Sequence, residues 1–302
     1  MSKSKISEHG MWESIGRLLT TLPLTRSCLR VFWTILTKFF LAQYKAILFS
    51  KNCKITNVDH PLDDSIPFDP SWSGVYMDFS PFWFRTQSFL LKDFGKRAIP
   101  FVKEFINSIA NLYDYATLVY KNNFSTTKRP PSKDKIVRVI HTLDPHLMCI
   151  PSLHVMVVVW TYIKLRVTLR ALGTEAQYEH ELRSLRLRAI EITESILYVK
   201  QHSINCIAAA LYALNCIDPV LIQEDEILQF IDDLFLSASD IDESALQKIK
   251  TYIRELYLSF SVSYKTAKAH DLKAEVKWEQ FLLDFLENYN KGAQSTGAES
   301  TG

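Results

Sequence analysis

Long apolar stretches and few turn-forming residues characterise the first two thirds of the chain. Two stretches, Pro145–Ile163 and Gln201–Ile217, contain no Asp, Glu, Lys or Arg. The chain holds only 8 Gly and 11 Pro in 302 residues, which favours helices over short strands. The pattern predicts an all-α fold. Four further helix-like segments are Leu29–Ser50, Ser71–Leu91, Ile99–Tyr120 and Ile190–Val199.

The number of these segments suits a small membrane bundle. A spanning helix needs roughly 20 mostly apolar residues, and the sequence therefore predicts a six-helix membrane-type bundle in an integral, multi-pass protein. Charges interrupt four of the segments, as Arg30, Lys38 and Lys45 do in the first. Each costs about 2.5–3.5 kcal/mol at the centre of a bilayer. A soluble or peripheral helical domain is the alternative.

The character of the sequence changes near Pro219, where apolar residues begin to recur every three or four positions between charges. This spacing predicts amphipathic helices. We therefore divide the chain into an N-terminal region with a first helix (1–60), a helical core (61–218), a C-terminal amphipathic region (219–290) and a disordered tail (291–302). Three apolar stripes mark the C-terminal region: Ile227, Phe230, Ile231, Leu234 and Phe235; Ile249, Ile253, Leu256 and Tyr257; and Trp278, Phe281, Leu282 and Phe285.

Composition narrows the classes of function. Hydrophobic residues make up 47% of the chain and the formal net charge is +2, which excludes global disorder and indicates no nucleic-acid partner. The five cysteines are odd in number and form no CxxC motif, so neither a disulfide framework nor a zinc site is indicated. The N-terminus lacks the apolar region of a signal peptide. No metal and no cofactor are expected.

A Ser and a His stand at the start of the most apolar run. Pro151 and Ser152 predict a helix start, with Ser152 capping the first free N–H groups. His154 then lies in the first turn, where the helix dipole and the free N–H groups attract anions. A capping residue beside a partly buried histidine is the structural alternative.

Two further polar clusters change the weight of this observation. Lys200 and His202 stand at the start of the second charge-free run, and Lys128 and Arg129 lie in a basic loop. Phosphoryl transfer uses cations to hold the phosphate, one histidine to attack phosphorus and another to protonate the leaving oxygen. With His154, the chain supplies each of these groups.

The order RP, PSxH and KQH resembles the type-2 phosphatidic acid phosphatase / vanadium haloperoxidase superfamily. Arg129-Pro130 matches the end of the first motif, and Pro151–His154 matches the second with Leu in place of Gly. Ser195 and His202 match the third at the correct spacing. The upstream stretch Ile66–Tyr76, IPFDPSWSGVY, is similar to the inositol-phosphorylceramide-synthase-like branch. Together the motifs cover roughly half of the chain.

The resemblance implies a role for each matched residue. His202 would be the nucleophile that forms a phosphohistidine, and His154 would be the general acid. Arg129 would hold phosphate oxygens, and Ser152 would add hydrogen bonds. The resemblance implies no metal for the phosphatase branch.

The cation positions depart from the motifs. The first-motif Lys is expected at Asn122, so Lys121 and Lys128 are the neighbouring candidates for phosphate binding. Ile196 replaces the third-motif Arg, and Lys200 is the candidate that could substitute for it as a point charge.

A second departure concerns the residue that orients the nucleophile. Cys206 stands four residues after His202, where the superfamily has an Asp. A thiol neither orients an imidazole nor stabilises its charged form as a carboxylate does. Asp144 could supply that carboxylate from elsewhere. His141 and His146 lie near the second motif, where loop or surface positions are favoured over the pocket.

These observations leave two functional hypotheses. The first is a phosphatase or phosphotransferase that acts on a phosphorylated lipid or a small phosphomonoester through a phosphohistidine, with a membrane as partner. The second is a catalytically degenerate relative that binds phosphate or lipid head groups without efficient turnover. The sequence leaves the acceptor, the substrate and the oligomeric state open.

Overall fold

The computed structural model describes residues 5–49, 53–270 and 276–298, with side chains described as far as residue 289. It is mostly helical, as predicted. The helices are α1 Met11–Thr20, α2 Thr25–Thr34, a π-helix Ile35–Phe40, α3 Leu41–Leu48, α4 Ser73–Met77, α5 Phe79–Phe94, α6 Ile99–Tyr120, α7 Lys135–Leu143, α8 Leu153–Ala171, α9 Glu179–Tyr198, α10 Ile204–Ile217, α11 Glu224–Asp232, α12 Glu243–His270 and α13 Trp278–Ala298.

Helix α8 forms the centre of the bundle because it is apolar on every side. Val155, Val157 and Val158 lie on different sides of the helix and are all completely buried. A helix that is hydrophobic all round needs apolar surroundings on every face, and α8 obtains them by packing against α5, α6, α9 and α10. Helix α10 is buried between α8 and the C-terminal helices α12 and α13.

The six-span arrangement is not confirmed. Among the described residues, one helical stretch, Leu22–Leu48, is long and apolar enough to cross a membrane. The charge-free stretch Pro145–Ile163 is helical only from Leu153 onward, and α10 has 14 residues. The apolar character of these two stretches is explained by their burial in the protein core.

A two-stranded parallel sheet fixes the loop that leads into α8. Strand β1, Ile55–Asn57, pairs with β2, Phe124–Thr126. Ser125 in β2 accepts hydrogen bonds at its Oγ from the N–H groups of Cys149 and Ile150, at 3.1 and 2.8 Å. The basic loop that holds Lys128 and Arg129 runs from the end of β2 at Thr126 to the start of α7 at Lys135.

Three amphipathic helices, α11, α12 and α13, occupy the C-terminal region. They bury apolar stripes in the predicted positions, such as Ile227 and Phe230 on α11 and Ile249 and Ile253 on α12. Helix α13 continues to Ala298, beyond the point at which the sequence predicted a disordered tail. The stretch 291–298 contains no Pro to interrupt the helix. Residues 299–302 lie outside the described part.

Candidate phosphate site

The two motif histidines meet because α8 and α10 begin side by side. His154 occupies the first turn of α8, and His202 lies in the turn before Ser203, which caps α10 by accepting the Asn205 N–H at 3.3 Å. The Nε2 atom of His202 lies 3.3 Å from the Nδ1 atom of His154. The sequence motifs therefore converge on one pair of rings.

Ser152 contacts the same pair but does not cap α8. Its Oγ lies 3.4 Å from Nε2 of His202, and it makes no capping hydrogen bond. The predicted capping role is wrong because the hydroxyl turns toward the imidazole instead of the helix N–H groups. The position of Ser152 at the site agrees with its assignment from the second motif.

Arg129 contacts Asp144 and Gln201 and does not form part of the cavity wall. Its Nη1 atom donates to the Asp144 carbonyl at 3.2 Å and to Oε1 of Gln201 at 3.4 Å. Gln201 is the residue before His202, so the guanidinium lies close behind the turn that carries this ring. Burial lowers the pKa of Arg129, while the guanidinium stays charged at neutral pH.

The three lysines of the predicted phosphate site do not reach the cavity. Lys121 and Lys128 are exposed, and the backbone N–H of Lys128 is bound by the Asp59 carboxylate at 3.0 Å. The ammonium of Lys200 donates to the carbonyls of Asp63 and Ile66, at 2.6 and 2.5 Å. Lys200 therefore fastens the loop before α4 to the turn before α10.

Asp144 and His146 contribute a second polar pair that the sequence motifs did not identify as a site. The His146 N–H donates to Oδ1 of Asp144 at 3.0 Å, and its Nε2 accepts the Thr127 N–H at 3.3 Å. An accepting Nε2 leaves the ring proton on Nδ1, which faces Oδ2 of Asp144 at 3.9 Å. Burial raises the pKa of Asp144, but hydrogen bonds from His146 outweigh it and hold the pKa at about 2.

Gln43 is a further site residue, and it comes from the N-terminal helices. Its Oε1 accepts the Leu147 N–H at 2.9 Å, which fixes the orientation of the amide. The Nε2 atom is buried and has no hydrogen-bond partner among the described residues. A glutamine within an apolar run was the available sequence signal, but nothing local linked it to the histidines about 100 positions later.

These side chains enclose a cavity of about 20 Å³, which has room for about one water molecule. An apolar groove of about 310 Å³ adjoins it and shares His154, Leu153 and Asp144 with it. His154 stands at the junction, with its ring 4.8 and 4.5 Å from the rings of Tyr76 and Phe79. The cavity wall consists of Phe39, Gln43, Asp144, His146, Met148, Cys149, Leu153, His154 and His202.

Burial keeps both catalytic candidates neutral at pH 7. It lowers the pKa of His154 to about 4 and places the pKa of His202 well below its usual range, with the neighbouring imidazoles adding to the effect on His202. A neutral imidazole is the nucleophilic form. At neutral pH His202 therefore has a free lone pair on one ring nitrogen, and His154 carries a single ring proton.

Among the described residues, no carboxylate forms a hydrogen bond with Nδ1 of His202. Nδ1 of His202 is buried and makes no well-formed hydrogen bond within the described residues, although the Cys149 backbone influences the pKa of the ring. Because His202 precedes α10, residue 206 does not lie one helical turn behind it. Burial also raises the pKa of the Cys206 thiol, so the thiol stays protonated.

Among the described residues, no group of three or more His, Cys, Asp and Glu side chains is arranged to hold a metal ion. Comparisons of the chain with protein-family models, curated proteins and solved structures find no match. The superfamily resemblance therefore depends on the short sequence motifs.

Proposed function

We propose that the protein is a phosphatase or phosphotransferase that acts on a lipid phosphate or another phosphomonoester through a phosphohistidine on His202. The observation that carries this proposal is the 3.3 Å contact between His202 Nε2 and His154 Nδ1 at the inner end of an apolar groove. A groove lined by apolar and aromatic side chains suits an acyl chain, and the polar group at its end suits the phosphate.

In the first half of the proposed reaction, the lone pair on Nε2 of His202 attacks phosphorus. The P–N bond forms as the bond from phosphorus to the ester oxygen breaks, and that oxygen takes a proton from His154. A phosphate anion beside His154 raises the pKa of this ring, because a neighbouring negative charge favours the protonated imidazole. The substrate therefore helps to supply the acid that its own cleavage needs.

In the second half, an acceptor oxygen attacks the phosphohistidine. His154, now neutral, takes the proton from the acceptor, and the P–N bond breaks to regenerate His202. Water as acceptor gives hydrolysis and an alcohol gives phosphoryl transfer. In both hydrolysis and phosphoryl transfer, His154 acts as a base where it acted as an acid in the first half, and His202 is the leaving group where it was the nucleophile.

The charged groups near the cavity and the small volume of the cavity determine how a phosphate can bind there. Arg129 and the Nε2 of Gln43 attract the phosphoryl oxygens, whereas the ionised Asp144 carboxylate repels them. A phosphoryl group is larger than the single water that the cavity can hold. In this proposal the phosphate comes from the groove side, and the Phe39 and Leu153 side chains move to admit it.

One observation favours a second candidate function, binding of phosphate or a lipid head group without efficient turnover. Nδ1 of His202 has no carboxylate to orient the ring and stabilise positive charge on it. In catalytic triads, loss of the orienting carboxylate costs about 10⁴ in rate. The same pocket could thus hold the anion and turn it over slowly.

Release of phosphate from a phosphatidic acid and from an aryl phosphate distinguishes the two. Activity of the purified protein that His202→Ala abolishes, and that His180→Ala preserves, supports the enzyme; the control histidine is 82% exposed. Vanadate binding without turnover supports the binding protein. If the purified protein shows no turnover and binds no anion, both functions are overturned.

A further inference from the structure

Helix α2 reverses the usual distribution of side chains in a surface helix. The side that packs on α6 buries Ser27, Val31 and Thr34, two of which are polar. The opposite side carries Phe32 and Trp33, whose side chains are 63% and 64% exposed. Surface helices of soluble proteins normally bury their large apolar residues. The outer side of α2 therefore indicates an apolar environment outside the protein.

The reversal continues through the π-helix and α3. Gln43 is completely buried, whereas Phe40, Tyr44 and Leu48 are 40%, 43% and 77% exposed. The polar side chain serves the cavity, and the apolar ones face away from the protein. The same polypeptide segment thus forms a wall of the phosphate site and an exposed apolar surface.

Helix α7 extends this surface to the mouth of the groove. The Tyr44 hydroxyl donates to the Leu143 carbonyl at 3.0 Å, which places α3 beside α7. Val139 and Leu143 are 52% and 59% exposed, and both line the groove that reaches His154. We define the outer face as Leu29, Phe32, Trp33, Phe40, Val139 and Leu143.

Cations flank the outer face. Arg26 and Lys45 project from the N-terminal helices, and Lys135 and Arg138 project from α7; all four are exposed. In the part of the chain that the structure describes, none of the four is paired with an acidic side chain within 4.0 Å. Free cations beside exposed aromatic residues are typical of segments that lie at an anionic membrane surface.

The ion pairs of the stretch Leu22–Leu48 indicate that this stretch lies on the membrane surface and does not cross the bilayer. Arg30 and Lys38 contact the Asp114 carboxylate of α6 at 3.7 and 2.5 Å. If Leu22–Leu48 crossed a bilayer, it would carry this cluster and the adjoining side of α6 into the hydrocarbon, where charges are costly. At the interface, the cluster stays in water while the outer face enters the lipid.

We propose that the outer face docks into the headgroup region of one leaflet of an anionic bilayer, with the mouth of the groove toward the lipid. Amphipathic helices dock in this way with their apolar side buried about 5–10 Å deep. The docking does not depend on catalysis. If the proposed function holds, a membrane lipid could enter the groove and reach His154 without crossing water.

Co-flotation of the purified full-length protein with vesicles tests the docking. We expect the protein to float with vesicles that contain phosphatidylserine, to float less with pure phosphatidylcholine, and to be released by salt. The double variant Phe32→Ser, Trp33→Ser should lower the partition coefficient at least about tenfold. The double variant Leu236→Ser, Val262→Ser, at side chains 70% and 59% exposed outside the outer face, should leave the coefficient unchanged.

Three outcomes would overturn the docking. The first is failure of the wild type to float with any vesicle. The second is a dimer in solution that the double variant at Phe32 and Trp33 dissociates, since the outer face would then join two copies. The third concerns Trp33 fluorescence, isolated as the difference between the wild type and Trp33→Phe because the chain has 6 Trp. Quenching of this fluorescence by lipids brominated at the bilayer midplane, and not by lipids brominated near the headgroups, would overturn the docking. Because the readout is binding, failure here leaves turnover of a soluble aryl phosphate as a separate test.

Discussion

Nε2 of His202 lies 3.3 Å from Nδ1 of His154, although 48 residues separate them in the chain. The starts of α8 and α10 create this contact, and the burial of both helix starts keeps the two rings neutral at pH 7. In the proposed function, this pair combines an unprotonated nucleophile, His202, with a ring, His154, that becomes the acid once an anion is bound.

The pH dependence of kcat/KM should reflect the lowered pKa of His154. In the free protein this ring loses its second proton as the pH rises above about 4, so we expect kcat/KM for an aryl phosphate to fall about tenfold per pH unit between pH 5 and pH 7. The substrate itself ionises at about pH 6. The variant His154→Ala lacks the titrating ring, so its pH dependence of kcat/KM shows the effect of substrate ionisation alone. If kcat/KM falls equally steeply with pH in the wild type and in His154→Ala, the proposed role of His154 is contradicted.

Replacement of Arg129 by Lys should weaken the site even though the charge is kept. Nη1 of Arg129 contacts both the Asp144 carbonyl and Gln201. A Lys side chain ends one bond short of this atom, and its ammonium lacks the planar group that binds two phosphate oxygens at once. We expect kcat/KM to fall about tenfold or more. Lys128→Ala provides the control, because the Lys128 side chain is exposed, whereas that of Arg129 contacts Asp144 and Gln201. An equal loss in the control variant would contradict the placement.

The free amide of Gln43 gives a prediction about anion affinity. Gln43→Glu keeps the oxygen that accepts the Leu147 N–H and replaces the unpartnered Nε2 with a second oxygen. Repulsion between this oxygen and an anion should weaken vanadate binding at least about tenfold. The variant Gln87→Glu places a carboxylate at a buried position on α5. It controls for the loss of stability caused by burying a carboxylate. Vanadate binding that is weakened equally by both variants would remove Gln43 from the site.

Lys200 should matter for stability more than for phosphate binding. Its ammonium donates to two backbone carbonyls, and Lys200→Met leaves both without this partner. We expect the free energy of unfolding to fall by about 2 kcal/mol, measured by urea denaturation, with vanadate affinity retained. Lost affinity at unchanged stability would restore Lys200 as a phosphate ligand.

The sequence predicted those parts of the fold that follow from local pattern. Charge-free runs gave α8 and α10, and the motif at the start of each helix placed His154 and His202. The amphipathic stripes gave α11 and α12. What local pattern could not distinguish is a core helix from a membrane span, since both are apolar all round and differ only in what surrounds them.

The remaining site residues depend on contacts that no short motif encodes. Gln43 reaches the cavity because α3 lies beside the loop at Leu147, a pairing of distant segments. Lys200 is adjacent to a nucleophile candidate in sequence, yet its ammonium is bound by the carbonyls of a loop more than 100 residues earlier. Ser152 occupies the expected position, but a neighbouring ring draws its hydroxyl away from the helix.

Detection of a phosphorylated intermediate tests the central claim most directly. The purified protein is mixed with a ³²P-labelled phosphomonoester, quenched in base and analysed for an acid-labile, base-stable label. We predict a phosphohistidine at residue 202 in the wild type and in His180→Ala, and no label in His202→Ala. Turnover by the wild type without such a label, or a label that persists in His202→Ala, would contradict the account.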